Sequence, residues 1–454
     1  MNAHVKNGPA AVVVGLGRTG YSCARYLHKR GWRVSITDTR AAPPELARLR
    51  ALSPAIELRL GGLDTELLDS ALCVVASPGV SLAAPFFIEA RRRGLEIVGD
   101  IELFARAAAA PVVGITGTNG KSTVTTLLGR MAERAGVPVR VGGNLGEPAL
   151  DLLDADAGTS SAVPAELYVL ELSSFQLETT YSLDLTAGAV LNVSADHLDR
   201  YPTLAAYAAA KARIFARCDT AVINLDDPLV VTMPRPGQRT LGFSLRASIG
   251  ADYALAESGG RWSLTRRGEP LLALSDMKLT GAHNAANALA ALALGEALEL
   301  PLAAMLAELR SFSGLPHRSQ WVADVRGVAY INDSKGTNVG ATLAAVRGMH
   351  APVVLIAGGE GKNQDFAPLA AAVAGKLRHA VLIGRAAGAI AEVLHGICST
   401  ERSSTLEEAV QAAARAAQPG DVVLLSPACA SLDMFKDYTH RGAVFEQAVR
   451  ELAA

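Results

Sequence analysis

The segment Gly114-Ile115-Thr116-Gly117-Thr118-Asn119-Gly120-Lys121-Ser122-Thr123 constrains this chain more than any other. It follows the apolar run Pro111 to Ile115 and leads into a stretch where Val124, Leu127, Leu128 and Met131 recur at helical spacing. A strand that ends in a glycine turn and opens a helix aims backbone N–H groups and a helix N-terminus at one point, which makes an anion site. In such a loop Lys121 is placed to neutralise β/γ-phosphates and the Ser122 hydroxyl to reach Mg²⁺. Ile115 stands where GxxxxGK[ST] has its first glycine, and the glycines at 114, 117 and 120 predict a related but distinct loop. A plain glycine turn with a surface lysine is the competing reading, and the GKST ending argues against it.

The same strand–helix grammar recurs on both sides. A first segment has strand candidates at Ala11–Val14, Arg33–Thr37 and Cys73–Ala76; the central one continues with Leu167–Leu170 and Ala187–Asn192. A third begins near Gly327–Ile331 and continues through Val353–Ile356, Ala380–Ile383 and Val422–Leu425. Alternation of this kind predicts mostly parallel sheets with helices on both faces. The fold class expected is α/β in three domains: an N-terminal Rossmann-like domain (1–100), a central P-loop-type ATPase with a mostly parallel sheet (101–314) and a C-terminal Rossmann-like domain (315–454). The β-richer stretch Thr240–Leu274 reads as a local excursion within the central domain.

Ligands collect at the carboxyl ends of parallel strands. Glu171 ends one strand, and Asp196 and His197 follow another, so Glu171 and His197 are placed to share the cleft of a nucleotide's metal. Mg²⁺ prefers oxygen, however, and a lone histidine after a strand is more often structural. Lys211, in an alanine-rich helix, reads by itself as a solvated lysine. Gly15-Leu16-Gly17-Arg18-Thr19-Gly20, with Asp38 at the end of the next strand, fits a dinucleotide fingerprint. The same geometry binds any pyrophosphate, including that of a UDP-sugar.

Asn284 and Asn287 share a helix face if not used in capping. Arg318, beside a domain boundary, reaches either a phosphate or a hinge carboxylate. Asp333 and Lys335 follow a strand end. Gly358–Lys362 and Ser426–Ser431 also follow strands, and each could be an ordinary turn.

Composition narrows the classes. With 454 residues, half of them apolar, and a net charge of −1, no global field favours nucleic acid or an anionic membrane. No apolar run approaches a membrane span, and Met1 to Ala10 lacks the long apolar core of a signal peptide. The five dispersed cysteines fit a reduced, cytoplasmic protein with buried thiols.

Taken together, Gly117–Thr123, Glu171–Gln176, Asn192 with Asp196-His197, Gly281–Asn284, Leu315–Arg318, Asp333–Lys335 and Ser426–Ser431 resemble the Mur ligases in order and spacing over nearly the whole chain. Ser173–Glu178 and Ser426–Asp433 are similar to those members that add D-glutamate to UDP-N-acetylmuramoyl-L-alanine. The resemblance implies an ATP-dependent, Mg²⁺-dependent ligase, with two metal ions, working through an acyl phosphate. It implies ATP contacts at Gly117, Thr118, Asn119, Gly120, Lys121, Ser122, Thr123, Asn284, Asn287, Arg318 and Asp333. It implies metal ligands at Ser122, Glu171, His197 and a carbamylated Lys211, with Lys121, His197, Lys211, Arg318 and Lys335 in catalysis. Leu16, Thr19, Thr39, Arg40, Ser77, Gly79, Asn144, Ser173 and Gln176 would face the UDP-sugar. Lys335, Thr337, Lys362, Ser431, Leu432 and Tyr438 would surround D-glutamate; Tyr438 stands where the family pattern has Phe. A cytoplasmic monomer is expected, with small-molecule partners only.

Rival readings are a ligase of the same superfamily with another acceptor, such as a folylpolyglutamate synthase or a Mur ligase adding L-alanine or a diamino acid; an NAD-dependent dehydrogenase; and a nucleotide-binding switch. The N-terminal GxGxxG segment argues against the synthase, the missing Asp-Asn-Pro-Arg segment against diaminopimelate addition, and the second phosphate loop against a simple dehydrogenase.

Overall fold

The computed structural model describes residues 8–157, 164–247, 250–279, 281–349, 351–373 and 375–453. The first seven residues, part of the N-terminal stretch read above, lie outside the described residues. Three sheets follow one another along the chain. The first has five parallel strands, ordered 3-2-1-4-5 by sequence, with Ala10–Val14 at the centre between Arg33–Asp38 and Cys73–Ala76. That order reverses direction on either side of the first strand and opens a crevice at its carboxyl end.

The central sheet has nine strands. Val112–Thr116 lies between Leu167–Glu171 and Leu185–Val190, parallel to both. These strands are continuous apolar runs because helices cover both faces. One cover is Lys121–Arg134, the helix that follows the phosphate loop; another is Ala282–Ala297, whose small residues let it pack closely against the first. Val124, Leu127, Leu128 and Met131 are fully buried, as their spacing predicts.

Residues 240–274 are no separate excursion. Arg239–Ser244 adds in parallel to the same sheet, and the strands Tyr253–Ser258, Arg261–Arg266 and Glu269–Ala273 extend its edge as an antiparallel meander. The third sheet has six strands and begins earlier than the apolar run at 327 suggested. Gln320–Val325 forms a hairpin with Val328–Asn332, which then pairs in parallel with Val422–Leu425. Among the described residues, no helix is long and apolar enough to cross a membrane. Cys23, Cys73, Cys218 and Cys429 are buried free thiols, whereas Cys398 is half-buried.

Candidate active site

The loop after Val112–Thr116 turns tightly before its helix. Gly120 caps the helix at φ 85°, and a Cβ there would stand 2.3 Å from the Asn287 Oδ1, so both the backbone angle and the neighbour demand glycine. Asn192 fixes the loop from the next strand: its Oδ1 accepts from the Asn119 N–H at 2.8 Å and its Nδ2 donates to the Asn119 carbonyl at 3.1 Å. The Lys121 ammonium folds back onto the Gly117 and Thr118 carbonyls at 2.8 and 2.9 Å. Burial lowers its pKa despite Glu171 nearby.

Two cavities meet around this loop, and a third adjoins one of them. The first is lined by Asn119, Gly120, Thr123, Asn284 and Asn287 from the central domain and by Arg318, Asp333 and Lys335 from beyond it. Asn284 and Asn287 share a face as predicted, 3.3 Å apart through Asn287 Nδ2, and neither caps the helix. The second cavity holds Thr118, Lys121, Glu171, Ser173, Asp196, His197, Lys211, Arg318, Lys335, Thr337 and Lys362. Asn119, Gly120, Arg318 and Lys335 border both. The third, at the carboxyl edge of the N-terminal sheet, is lined by Thr19, Thr39, Arg40, Ser77, Gly79 and Gln176, and shares Asn144 with the second.

The second cavity concentrates charge. Glu171 accepts from the Ser122 Oγ at 2.6 Å and the Asn144 Nδ2 at 2.7 Å. Burial pushes its pKa up, but Lys121, these hydrogen bonds and Arg318 outweigh that and hold it below the usual value. Arg318 crosses from the far side to donate to the Ser122 Oγ at 2.7 Å, so it meets the phosphate loop and not a hinge carboxylate. Lys211 is almost wholly buried; its ammonium lies 4.3 Å over the Tyr207 ring and donates to the Gly117 carbonyl at 2.9 Å. The solvated-lysine reading is therefore wrong for this position. Burial, reinforced by Lys121, lowers its pKa well below that of an ordinary lysine.

Burial likewise lowers the pKa of His197, whose backbone sits at φ 56°, a strained angle that recurs at Lys362 (φ 49°) on the same wall. Lys335 has its pKa lowered to about 8 by burial and by Arg318, and its ammonium lies 4.0 Å over the Tyr438 ring. Asp333, held by the Ser426 Oγ at 2.7 Å and the Ser319 N–H at 3.1 Å, is pushed by burial up to about 6.

Several expected residues sit elsewhere. The Leu16 side chain is buried in the core beneath the N-terminal sheet, and its N–H donates to Asp38. Ser173 lines the second cavity, not the third. Ser431, Leu432 and Tyr438 lie off the cavity walls: Ser431 is buried, Leu432 is 72% exposed, and Tyr438 reaches the cavity only through Lys335. Residues the sequence reading passed over include Tyr207, one helical turn before Lys211, and Asn338, whose Nδ2 bonds Asn119 and Asp196 across the domains. The i, i+4 spacing to Lys211 could have flagged Tyr207; nothing local flags the reach of Asn338.

The comparisons with known proteins agree with this layout. Residues 9–99 match the Mur ligase MurD-like N-terminal domain, 115–295 the Mur ligase middle domain and 317–429 the Mur ligase glutamate ligase domain. The chain is 52% identical over 444 residues to the UDP-N-acetylmuramoylalanine–D-glutamate ligase of Nitrosococcus oceani, covering 97% of this chain and 96% of that protein. It is 51% identical over 446 residues to the enzyme of the same name from Pseudomonas aeruginosa, covering 97% and 98%. In fold it is similar to the UDP-N-acetylmuramate-alanine ligase MurC of Thermotoga maritima, with a TM-score of 0.62 at 19% identity over 97% of this chain and 99% of that one. On these matches, which span all three sheets, the chain belongs to the Mur ligase family.

Proposed function

We propose that this chain is an ATP-dependent ligase that joins D-glutamate to the alanyl carboxylate of UDP-N-acetylmuramoyl-L-alanine, in peptidoglycan precursor synthesis. The observation that carries the proposal is a chain of three cavities, one for each substrate: two meet at Arg318 and Lys335, with Lys121 on the wall of the second, and the third joins the second at Asn144. We take the domains as residues 1–100, 101–314 and 315–454. All three cavities form within one chain, so a monomer suffices, and ATP and nucleotide-linked substrates suit the cytoplasm.

A carboxylate is a poor electrophile. In the first step an alanyl carboxylate oxygen attacks the γ-phosphorus of ATP, and ADP leaves with the electrons of the broken P–O bond. Two anions must approach, so the site has to neutralise charge. Lys121 leaves its own loop carbonyls for the β/γ-phosphates, and Arg318 reaches the γ-phosphate from the opposite wall. Asn284, Asn287 and Asp333 hold the rest of the nucleotide. In the second step the neutral amine of D-glutamate attacks the acyl carbon, inorganic phosphate leaves, and the nitrogen gives up a proton. Lys335, Thr337 and Lys362 hold the D-glutamate carboxylates, with Tyr438 orienting Lys335 from below. Ser431 and Leu432 stay outside this contact set in the arrangement described above.

Magnesium, when bound, supplies Lewis-acid neutralisation of the phosphate oxygens. The donor set fits it: Ser122 and Glu171 offer oxygen, and Mg²⁺ commonly takes few protein ligands plus nucleotide phosphates. Burial favours the neutral imidazole of His197, the form whose ring nitrogen can act as a ligand. Lys211 cannot ligate as an ammonium. Its lowered pKa favours the neutral amine, which can add CO₂ at nitrogen and release a proton, giving a carbamate that offers oxygen.

A dehydrogenase fits the N-terminal cavity poorly. An NAD ribose needs the carboxylate at the second strand end, and Asp38 is taken up by Arg40 Nε and Nη2 at 2.9 and 2.7 Å, the Arg40 N–H and the Leu16 N–H. The test is phosphate release from ATP and Mg²⁺ with UDP-N-acetylmuramoyl-L-alanine and a panel of amino acids. Release that needs both substrates and is specific to D-glutamate supports the proposal; release with another amino acid overturns the acceptor, and none at all overturns the reaction.

A further inference from the structure

Two arginines line the cavity of the N-terminal sheet, Arg18 and Arg40, and they stand in different electrostatic positions. Arg40 is committed to a fork-to-fork pair with Asp38. Arg18 has no carboxylate partner among the described residues. Its guanidinium makes one hydrogen bond, Nη2 to the Gly146 carbonyl at 3.0 Å, across the boundary between the N-terminal and central domains. A neutral carbonyl does not match a positive charge, and a guanidinium has five donors. Most of the Arg18 fork is therefore left to face the cavity, beside the glycine turn that Gly15, Gly17 and Gly20 line.

The chemistry suited to that cation is a diphosphate, which offers anionic oxygens in the spacing a planar guanidinium recognises. Gly146 also matters. It belongs to the turn after Val139–Gly143 that carries Asn144, and the Asn144 Nδ2 holds Glu171 at 2.7 Å. One side chain thus stands between the nucleotide-sugar cavity and the turn that borders the charged cleft. We propose that Arg18 binds the diphosphate of the nucleotide-sugar substrate and, through the Gly146 carbonyl, ties that substrate to the Asn144 turn. The proposal rests on the substrate assigned above, and it adds a binding residue that neither the sequence reading nor the comparisons assign.

The test compares UDP with uridine as ligands of the full-length wild-type protein and of Arg18→Met and Arg18→Lys, by competition binding. Arg18 is exposed, so neither substitution removes core packing. Arg18→Met should weaken UDP about tenfold or more, the loss expected for one charged hydrogen-bond donor, and leave uridine unchanged. Arg18→Lys should fall between. In turnover, the KM for the nucleotide-sugar should rise in Arg18→Met while those for ATP and D-glutamate hold. Wild-type affinity for UDP in Arg18→Met, or an equal loss for UDP and uridine, would overturn the role of Arg18 alone. Failure of the wild-type protein to bind UDP would overturn it together with the assigned substrate.

Discussion

The N-terminal and central domains open with the same local device, a buried parallel strand, a glycine turn and a helix, yet the two turns are equipped for different work. At Gly15–Gly20 the nearby carboxylate is Asp38, paired with Arg40; burial opposes its charge, but the hydrogen bonds from Arg40 and Leu16 prevail and lower its pKa. At Gly117–Thr123 the charges are crowded and buried: burial depresses the pKa values of Lys121, Lys211 and Lys335 and raises that of Asp333. The first turn can hold a phosphate group at rest. In the proposed reaction the second turn meets anionic substrates and metal, and buried, crowded charge of this kind is expected where a phosphoryl group is transferred. In the proposed reaction the glycine loops mark where phosphate sits, and the surrounding charge marks where it reacts.

Four outcomes would sharpen or break that contrast. The largest concerns Lys121. Lys121→Ala should lower kcat by about 10³-fold, the scale of a lost phosphate-neutralising cation, with the KM for the nucleotide-sugar little changed; a steady-state comparison showing loss below tenfold would put the reactive charge elsewhere. Next is Lys211→Ala, expected to lose about 10²-fold or more and to regain activity with added short-chain carboxylate. Full activity without rescue would remove the carbamate from the account.

Third, Gly20→Ala should damage the N-terminal turn alone, because the new Cβ would lie 1.9 Å from the Gly15 carbonyl oxygen. Nucleotide-sugar KM should rise about tenfold with a stability loss of about 1–3 kcal/mol, while ATP binding by calorimetry stays at the wild-type value. Equal damage to both ligands would mean that the two turns are not independent.

The smallest effect is a pH signature that separates the two carboxylates. Asp333 keeps its proton up to about 6 in the folded chain against 3.8 ordinarily. The folded state therefore binds more protons than the unfolded state between these values, and stability falls as pH rises through that window. Asp38, with its lowered pKa, runs the other way: its contribution is present above 3.8 and lost as pH falls. Asp333→Asn should thus gain in Tm relative to wild type as pH rises from 3.8 to about 6, whereas the Tm deficit of Asp38→Asn should be constant above 3.8 and shrink as pH falls below it; a Tm difference independent of pH in both windows would contradict these assignments.

Much of this was legible in the sequence because the informative residues are local. Apolar strands that end in glycine or charge announced the carboxyl edges of all three sheets, and the phosphate loop, Glu171 and His197 fell where parallel strands deliver ligands. The short outer strands Glu57–Leu60 and Ser399–Arg402 were missed: as sheet edges with exposed faces they need no apolar run. The meander at 253–273 was seen as β-rich but not as part of the nine-stranded sheet, because pairing across loops leaves no periodic mark.

The deeper losses are long-range. The burial of Lys211 against Gly117, the reach of Arg318 to Ser122, and the Asn338 bridge to Asp196 depend on segments tens to hundreds of residues apart. Leu16 was misjudged for a related reason: a loop position next to a ligand can still turn its side chain into the core.

The central claim is that ATP activates the alanyl carboxylate at the charged cleft. It is tested most directly by turnover of UDP-N-acetylmuramoyl-L-alanine carrying oxygen-18 in that carboxylate, with mass analysis of the phosphate released in the presence of D-glutamate. The account predicts one labelled oxygen in each inorganic phosphate, carried there through the acyl phosphate. Phosphate released without label, while the amide still forms, would contradict it.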